Sequence, residues 1–243
     1  IFTPMGCTSS RGKIYLAQNE DIVNAHATTL QELDLSFEEG ATLLQVYSIL
    51  EKATAIESKF LGGVGVQFSS FASKLGIQKT KFALNVFARG ANVPDGAFPQ
   101  QKLAARMDSR QFVRTICDLC LRTNTGLNGF AFDLYKDRSD GITTKAMIKL
   151  VHETYDFLAE AESSDEQEAN DYSKRMTAKA DQTVTFIVEV AGNDGVFQRN
   201  EFDQFVGKRH QTLQQVFLLQ NAVRDKTGGS SFWKKLIVRI GKE

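Results

Sequence analysis

The chain has 243 residues, 29 Lys+Arg against 29 Asp+Glu, 42% hydrophobic and 10% aromatic residues. Zero net charge without a basic block excludes a protein that grips phosphates through clustered Lys and Arg, and this apolar content excludes a disordered or acidic-tail protein. The length allows one domain or two small lobes with sizeable cores, and only three Pro leave room for long helices.

Residues 1–27 are polar and without a clear period. Ser36-Phe37-Glu38-Glu39 reads as a capping box, in which the Ser hydroxyl and the Glu carboxylate satisfy each other's orphan backbone N–H groups. Leu43, Val46, Tyr47 and Leu50 then share one helical face until Gly62-Gly63 and Gly65 break the pattern. Short apolar stripes follow at Phe68, Phe71, Leu75 and at Phe82, Val86, Phe87, before a Gly- and Pro-containing stretch from Gly90 to Pro99. Phe112, Ile116, Leu119 and Cys120 predict another helix, as do Leu127, Phe130, Ala131, Leu134 and Tyr135.

After a polar turn from Lys136 to Gly141, Met147, Val151 and Tyr155 recur at helical spacing. Glu160, Glu162, Asp165, Glu166, Glu168 and Asp171 make an acidic stretch, expected as a solvated linker (159–171) or a helix surface. Val184, Phe186, Ile187 and Val190 lead into Gly192-Asn193-Asp194-Gly195, and Phe202, Phe205 and Val206 lead out. A last helix carries Leu213, Val216, Phe217, Gln220 and Val223 and stops at Gly228-Gly229. The basic apolar tail from Phe232 to Ile240 is expected to dock on the core. Because each helix-loop-helix has an apolar stripe it cannot bury alone, neighbouring units must pair.

Asp194 to Phe202 resembles the second half of an EF-hand calcium loop, in which twelve positions place oxygens around the ion and a Gly makes the sharp turn at position 6. With Gly195 as that turn, Asp194 stands at position 5, the Val196 carbonyl at 7, Gln198 at 9 and Glu201, the bidentate carboxylate, at 12. Positions 1 and 3 are Val190 and Gly192, so two side-chain oxygens are absent. Phe130 to Tyr135 looks like the incoming helix of a third hand, with Asp140-Gly141-Ile142 at its turn and Ala146 in place of the closing Glu. Met107 to Phe112 and Val66 to Phe71 look like the ends of a second and a first hand, with Gln111 and Ser70 in that place. The first exit-helix residues Phe71, Phe112, Met147 and Phe202 are spaced by 41, 35 and 55, against roughly 35 to 40 per hand, with the excess attributed to the acidic stretch.

The resemblance is to calcium sensors of the calcineurin B and neuronal calcium sensor type. It implies an all-α fold of four EF-hand units in two paired lobes, plus a C-terminal helix. The expected divisions are a polar N-terminal extension (1–27), an N-terminal pair (28–122), a C-terminal pair with the acidic linker (123–210), and a C-terminal helix and tail (211–243). Since calcium binding needs six to eight oxygens, several of them charged, loops one to three are expected to hold none. The fourth keeps Asp194, Val196, Gln198 and Glu201, enough for weakly bound calcium. The alternative is that Gly195 and Glu201 preserve only loop shape and helix capping. Gly141 is the corresponding loop turn of the third hand.

The family takes up amphipathic target helices in a groove, so the expected partner is a protein, through such a helix or a larger assembly. The 18 Phe suit a groove or simply a core. Three cysteines, Cys7, Cys117 and Cys120, fit a reducing compartment; Cys117 and Cys120 have zinc-like spacing but no second pair, and packing is expected. No stretch approaches the roughly 18 apolar residues of a membrane span. His26, His152 and His210 stand apart from any nucleophile, and no phosphate loop follows a strand, so no enzyme is expected.

Met5-Gly6-Cys7-Thr8-Ser9-Ser10 matches a myristoylation pattern if Met5 is the start, with Gly6 the acceptor and Cys7 a palmitoyl site. Ile1 to Pro4 would block Gly6 if retained. The expectation is a cytoplasmic adaptor or structural subunit with calcium binding mostly lost. The alternative is a calcium-regulated, N-acylated sensor attached peripherally to a membrane.

Overall fold

Apolar residues at helical spacing need neighbouring helices to cover them, and helix is what the chain forms. The computed structural model describes residues 23–57, 65–94, 96–138, 141–161, 166–190 and 195–240. It is 77% helix with a few short strands, an all-α protein. The elements run α1 (Ala27–Glu32), α2 (Phe37–Glu57), β1 (Val66–Gln67), α3 (Phe68–Leu75), α4 (Lys81–Gly90), α5 (Pro99–Ala104), β2 (Arg106–Met107), α6 (Ser109–Cys120) and α7 (Asn124–Tyr135). They continue with β3 (Ile142–Thr143), α8 (Thr144–Ala161), α9 (Glu166–Val190), β4 (Val196–Phe197), α10 (Arg199–Lys208), a 3-10 turn (His210–Leu213), α11 (Gln214–Lys226) and α12 (Gly229–Ile240).

Local chemistry explains the helix starts. Ser36 and Glu39 form the reciprocal cap of α2, with the Ser36 N–H donating to Glu39 Oε2 at 2.8 Å and the Glu39 N–H to Ser36 Oγ at 3.3 Å. Thr80 and Thr123 accept from the N–H groups of Ala83 and Gly126 and so cap α4 and α7.

The strands pair two by two. Val66 faces Met107 in the antiparallel β1–β2 pair, and Ile142 faces Phe197 in β3–β4. A helix leaves each strand at once, and five residues beyond the four facing residues stand Phe71, Phe112, Met147 and Phe202. None of these eight side chains is more than 1% exposed. Their burial draws the helices together. Phe71 contacts Phe87 and Phe112, with ring centroids 5.4 and 6.5 Å apart, and Phe132 contacts Phe202 at 5.5 Å. Phe82 of α4 stacks on Tyr135 of α7 at 6.3 Å, which joins the two halves.

One core runs from Val23 to Leu236, and α11 lies across it, against α3, α4, α6, α7 and α8. Gln220 Nε2 donates to the carbonyls of Leu119 and Arg122 at 2.7 and 3.0 Å. Arg224 donates through Nε and Nη2 to the Cys120 carbonyl at 3.0 and 2.6 Å, and through Nη2 to Arg122 at 3.1 Å. The end of α6 leaves carbonyls without helical partners, and α11 supplies the donors.

Three features differ from the sequence pattern, while the C-terminal tail docks on the core as expected. Val23 is 2% exposed, so the core begins before the expected boundary at 28. Residues 99–104, which overlap the expected second loop, form α5, started by Pro99 at its first turn. The acidic stretch is drawn into α8 and α9 apart from 162–165, which lie outside the described residues; its Glu, Ala and Gln are good helix formers, and the long 55-residue spacing belongs mainly to these two helices. The tail forms α12 and buries Trp233 and Leu236, and Arg239 at its end pairs with Glu39 at 2.6 Å.

Arg224→Ala should destabilise the protein by about 1–3 kcal/mol in chemical denaturation, because buried carbonyls lose charge-assisted donors, and Arg224→Lys should recover only part of this since an ammonium cannot fork. Desolvation pushes the Cys120 thiol well above its ordinary 9.0 and the Tyr135 phenol well above 10.0. In the unfolded chain both ionise at ordinary values, so above them the unfolded state holds fewer protons than the native one. Their contribution is therefore complete below about pH 9, and the melting temperature should fall as pH rises beyond about 9–10.

Candidate functional site

Each of the four facing strand residues is followed by a residue whose backbone N–H points out of a helix start and needs an acceptor. These are Gln67, Asp108, Thr143 and Gln198. The chain provides a different acceptor each time. The Gln67 N–H donates to Thr54 Oγ1 at 3.3 Å, from the buried inner face of α2. The Asp108 N–H donates to Gln111 Oε1 at 2.9 Å, and Asp108 Oδ1 accepts from the Gln111 N–H at 2.8 Å, a complete capping box. The Thr143 N–H donates to Asp137 Oδ1 at 2.8 Å, and the Thr143 hydroxyl donates to Asp137 Oδ2 at 2.6 Å. The Gln198 N–H donates to Glu201 Oε2 at 2.8 Å.

Ser70, Gln111, Ala146 and Glu201 thus stand in equivalent places, each four residues beyond a facing strand residue. Glu201 is half-buried at the positive end of α10, where its charge is favoured by the helix dipole. Gln198 is exposed. Gly195 has φ +64°, the left-handed turn expected of it. Its carbonyl accepts from both the Thr144 N–H and the Thr144 hydroxyl, each at 2.9 Å, so the start of α8 holds the turn before β4. Val196 sits in β4 opposite Thr143.

Gly141 does not share the positive φ of Gly195. A Cβ there would collide with the Phe197 carbonyl and the Val196 side chain, so this glycine permits close approach of β4. Asp194, Gly192 and Asp140, with Gly6 and Cys7, lie outside the described residues.

The donor sets answer what calcium would require, which is six to eight oxygens with a bidentate carboxylate. In the first three units these equivalent places hold Ser70, Gln111 and Ala146, none of which carries a charged oxygen, and Asp137 has both oxygens engaged by Thr143. In the fourth, Glu201 spends Oε2 on the backbone. Among the described residues no group of three or more His, Cys, Asp or Glu side chains could hold a metal ion. Cys117 and Cys120 are buried thiols on α6.

The sequence pattern did not single out a polar cluster beneath α11. Tyr135 Oη donates to Glu153 Oε2 at 2.6 Å, Gln215 Nε2 donates to Thr154 Oγ1 at 2.8 Å, and Thr154 donates to the Thr212 carbonyl at 2.8 Å. Its only sequence signal was polar residues interrupting apolar stripes.

No protein-family model matches this chain, and comparison with curated proteins finds no match. No described helix is long and apolar enough to cross a membrane.

Glu201→Gln keeps an oxygen for the Gln198 N–H and should change stability by only a few tenths of a kcal/mol, whereas Glu201→Ala should cost about 1 kcal/mol. Both are read by urea denaturation. Gly141→Ala should cost more than Gly195→Ala, because the first meets backbone atoms and the second meets only an unfavourable φ worth about 1 kcal/mol.

Proposed function

We propose that this chain is an EF-hand protein similar to calcium sensors of the calcineurin B and neuronal calcium sensor type, working as a non-enzymatic, protein-binding adaptor or subunit. Its loops hold their shape without calcium. The observation that carries this is the four-fold equivalence of strand, N–H acceptor and exit helix. Val66, Met107, Ile142 and Phe197 each precede a closing place by four residues and pair as the centres of two-loop units would. Each loop's outward N–H already has an acceptor within the chain, at Thr54, Gln111, Asp137 or Glu201. In this reading β1–β2 joins the N-terminal pair of hands and β3–β4 the C-terminal pair.

A helix that switches on calcium would need loops that gain order from the ion. Here a binding surface must exist permanently. Helix α2 supports that role, because it buries Leu43, Leu44, Tyr47 and Leu50 while Ile49 and Ile56 on its other side are 51% and 70% exposed. Apolar residues on both sides of a helix indicate contact on both sides.

Calorimetric titration of the full chain with calcium should show no site of micromolar affinity, and its melting temperature should be the same in chelator and in excess calcium. A micromolar site would overturn the adaptor reading in favour of a calcium-regulated sensor using Asp194, Val196, Gln198 and Glu201.

A further inference from the structure

A groove of about 1100 Å³ opens where the first half of the chain faces the second, between α4, α5, α7 and the start of α8. Six cations line it: Arg89, Lys102, Lys136, Arg138, Lys145 and Lys149. Against them stand Asp133 and Asp137, and Asp137 is engaged by Thr143. Lys102 Nζ donates to the neutral Asn85 side chain at 2.7 Å, and Arg89 lies over the Phe130 ring. Among the described residues the one carboxylate pairing of these six is Lys149 with Glu153, at 3.9 Å. In a chain of zero net charge, this is a strong local excess of positive charge.

The compensating excess is in the sequence. Residues 160–171 carry six acids, Glu160, Glu162, Asp165, Glu166, Glu168 and Asp171, and no Lys or Arg. Helix α8 separates the two features, with Lys145 in its first turn and Ala161 its last residue. At 1.5 Å per residue those ends are about 24 Å apart, and α9 packs back along α8, so Ala161 and the start of α9 at Glu166 lie at the far end of the hairpin from Lys145. One copy cannot bring its own acids to its own groove. Two antiparallel copies can do so twice, each placing its acidic stretch in the other's groove, which is the self-complementary geometry of a two-fold dimer.

We propose that the basic groove is the docking site for residues 160–171 of a second copy of this chain, forming a reciprocal, salt-sensitive dimer. This goes beyond the adaptor reading and does not depend on it. Val93, Pro94 and Leu134 line the groove among these cations and add apolar contact for a docked segment. Opposite charges brought together twice per dimer favour fast association and weaken as salt screens them.

Sedimentation velocity of the full chain tests this. A dimer is expected at about 20 mM salt, with its dissociation constant rising at least about tenfold at about 500 mM. The groove variant Arg138→Glu/Lys145→Glu and the hairpin variant Glu166→Lys/Glu168→Lys should each be monomeric with unchanged thermal melting. Their equimolar mixture should recover a dimer, since one native groove then meets one native acidic stretch. A wild-type monomer at low salt, growth into open-ended assemblies, or dimers indifferent to both variants would each overturn the proposal. Binding of a synthetic 160–171 peptide to a chain that stays monomeric would also overturn it, and would assign the groove to an acidic segment of another protein.

Discussion

A chain that passes from a two-residue strand straight into a helix exposes a backbone N–H that neither element can satisfy. In this protein that situation arises at Gln67, Asp108, Thr143 and Gln198. Each is met by an acceptor from within the chain: the Gln67 bond is partly buried, where an unpaired donor costs about 1–3 kcal/mol, and the other three lie at the surface, where the acceptor caps the helix start. The acceptors are a hydroxyl, an amide and two carboxylates, drawn from before the strand in two cases and after it in the other two. Equivalent backbone positions are thus served by different side-chain chemistry.

Helix α11 then makes one molecule of the two strand-paired halves. It does so by burying Val216, Leu219 and Val223 and by placing Gln220 and Arg224 on the unsatisfied carbonyls at the end of α6. Those contacts need α6, α11 and the α6–α7 turn in place together. The same burial pushes the Cys120 thiol well above its ordinary value although Arg224 pulls the other way. An expected division of the chain at residue 122 therefore falls on the carbonyl of Arg122 that α11 holds, in the middle of a shared core rather than at a boundary.

Much of this was legible in the residues because it is local. The Ser36–Glu39 cap, the stripe Leu43, Tyr47, Leu50, the left-handed turn at Gly195 and the closing places Ser70, Gln111, Ala146 and Glu201 depend on neighbours within a few positions. Thr54 and Asp137 were not legible as loop-closing groups, since they lie 13 and 6 residues before the N–H groups they serve. Gly141 was legible as a required glycine but for a different reason, because the carbonyl it makes room for belongs to β4. Helix α5 was hidden by the Pro and Gly preceding it, although Pro at a first turn starts a helix as readily as it breaks one.

The sequence by itself determined the helical class, the sites of most helix starts and the absence of charged oxygens at three of four closing places, because periodicity, capping and side-chain chemistry act over one or two turns. Tertiary structure alone decided which strands pair, where α11 lies, which side chain accepts from each N–H beside a strand and how six cations meet around one groove. Those outcomes join residues dozens of positions apart, and they are fixed by the joint requirement to bury apolar faces while leaving no helix end without its hydrogen bonds.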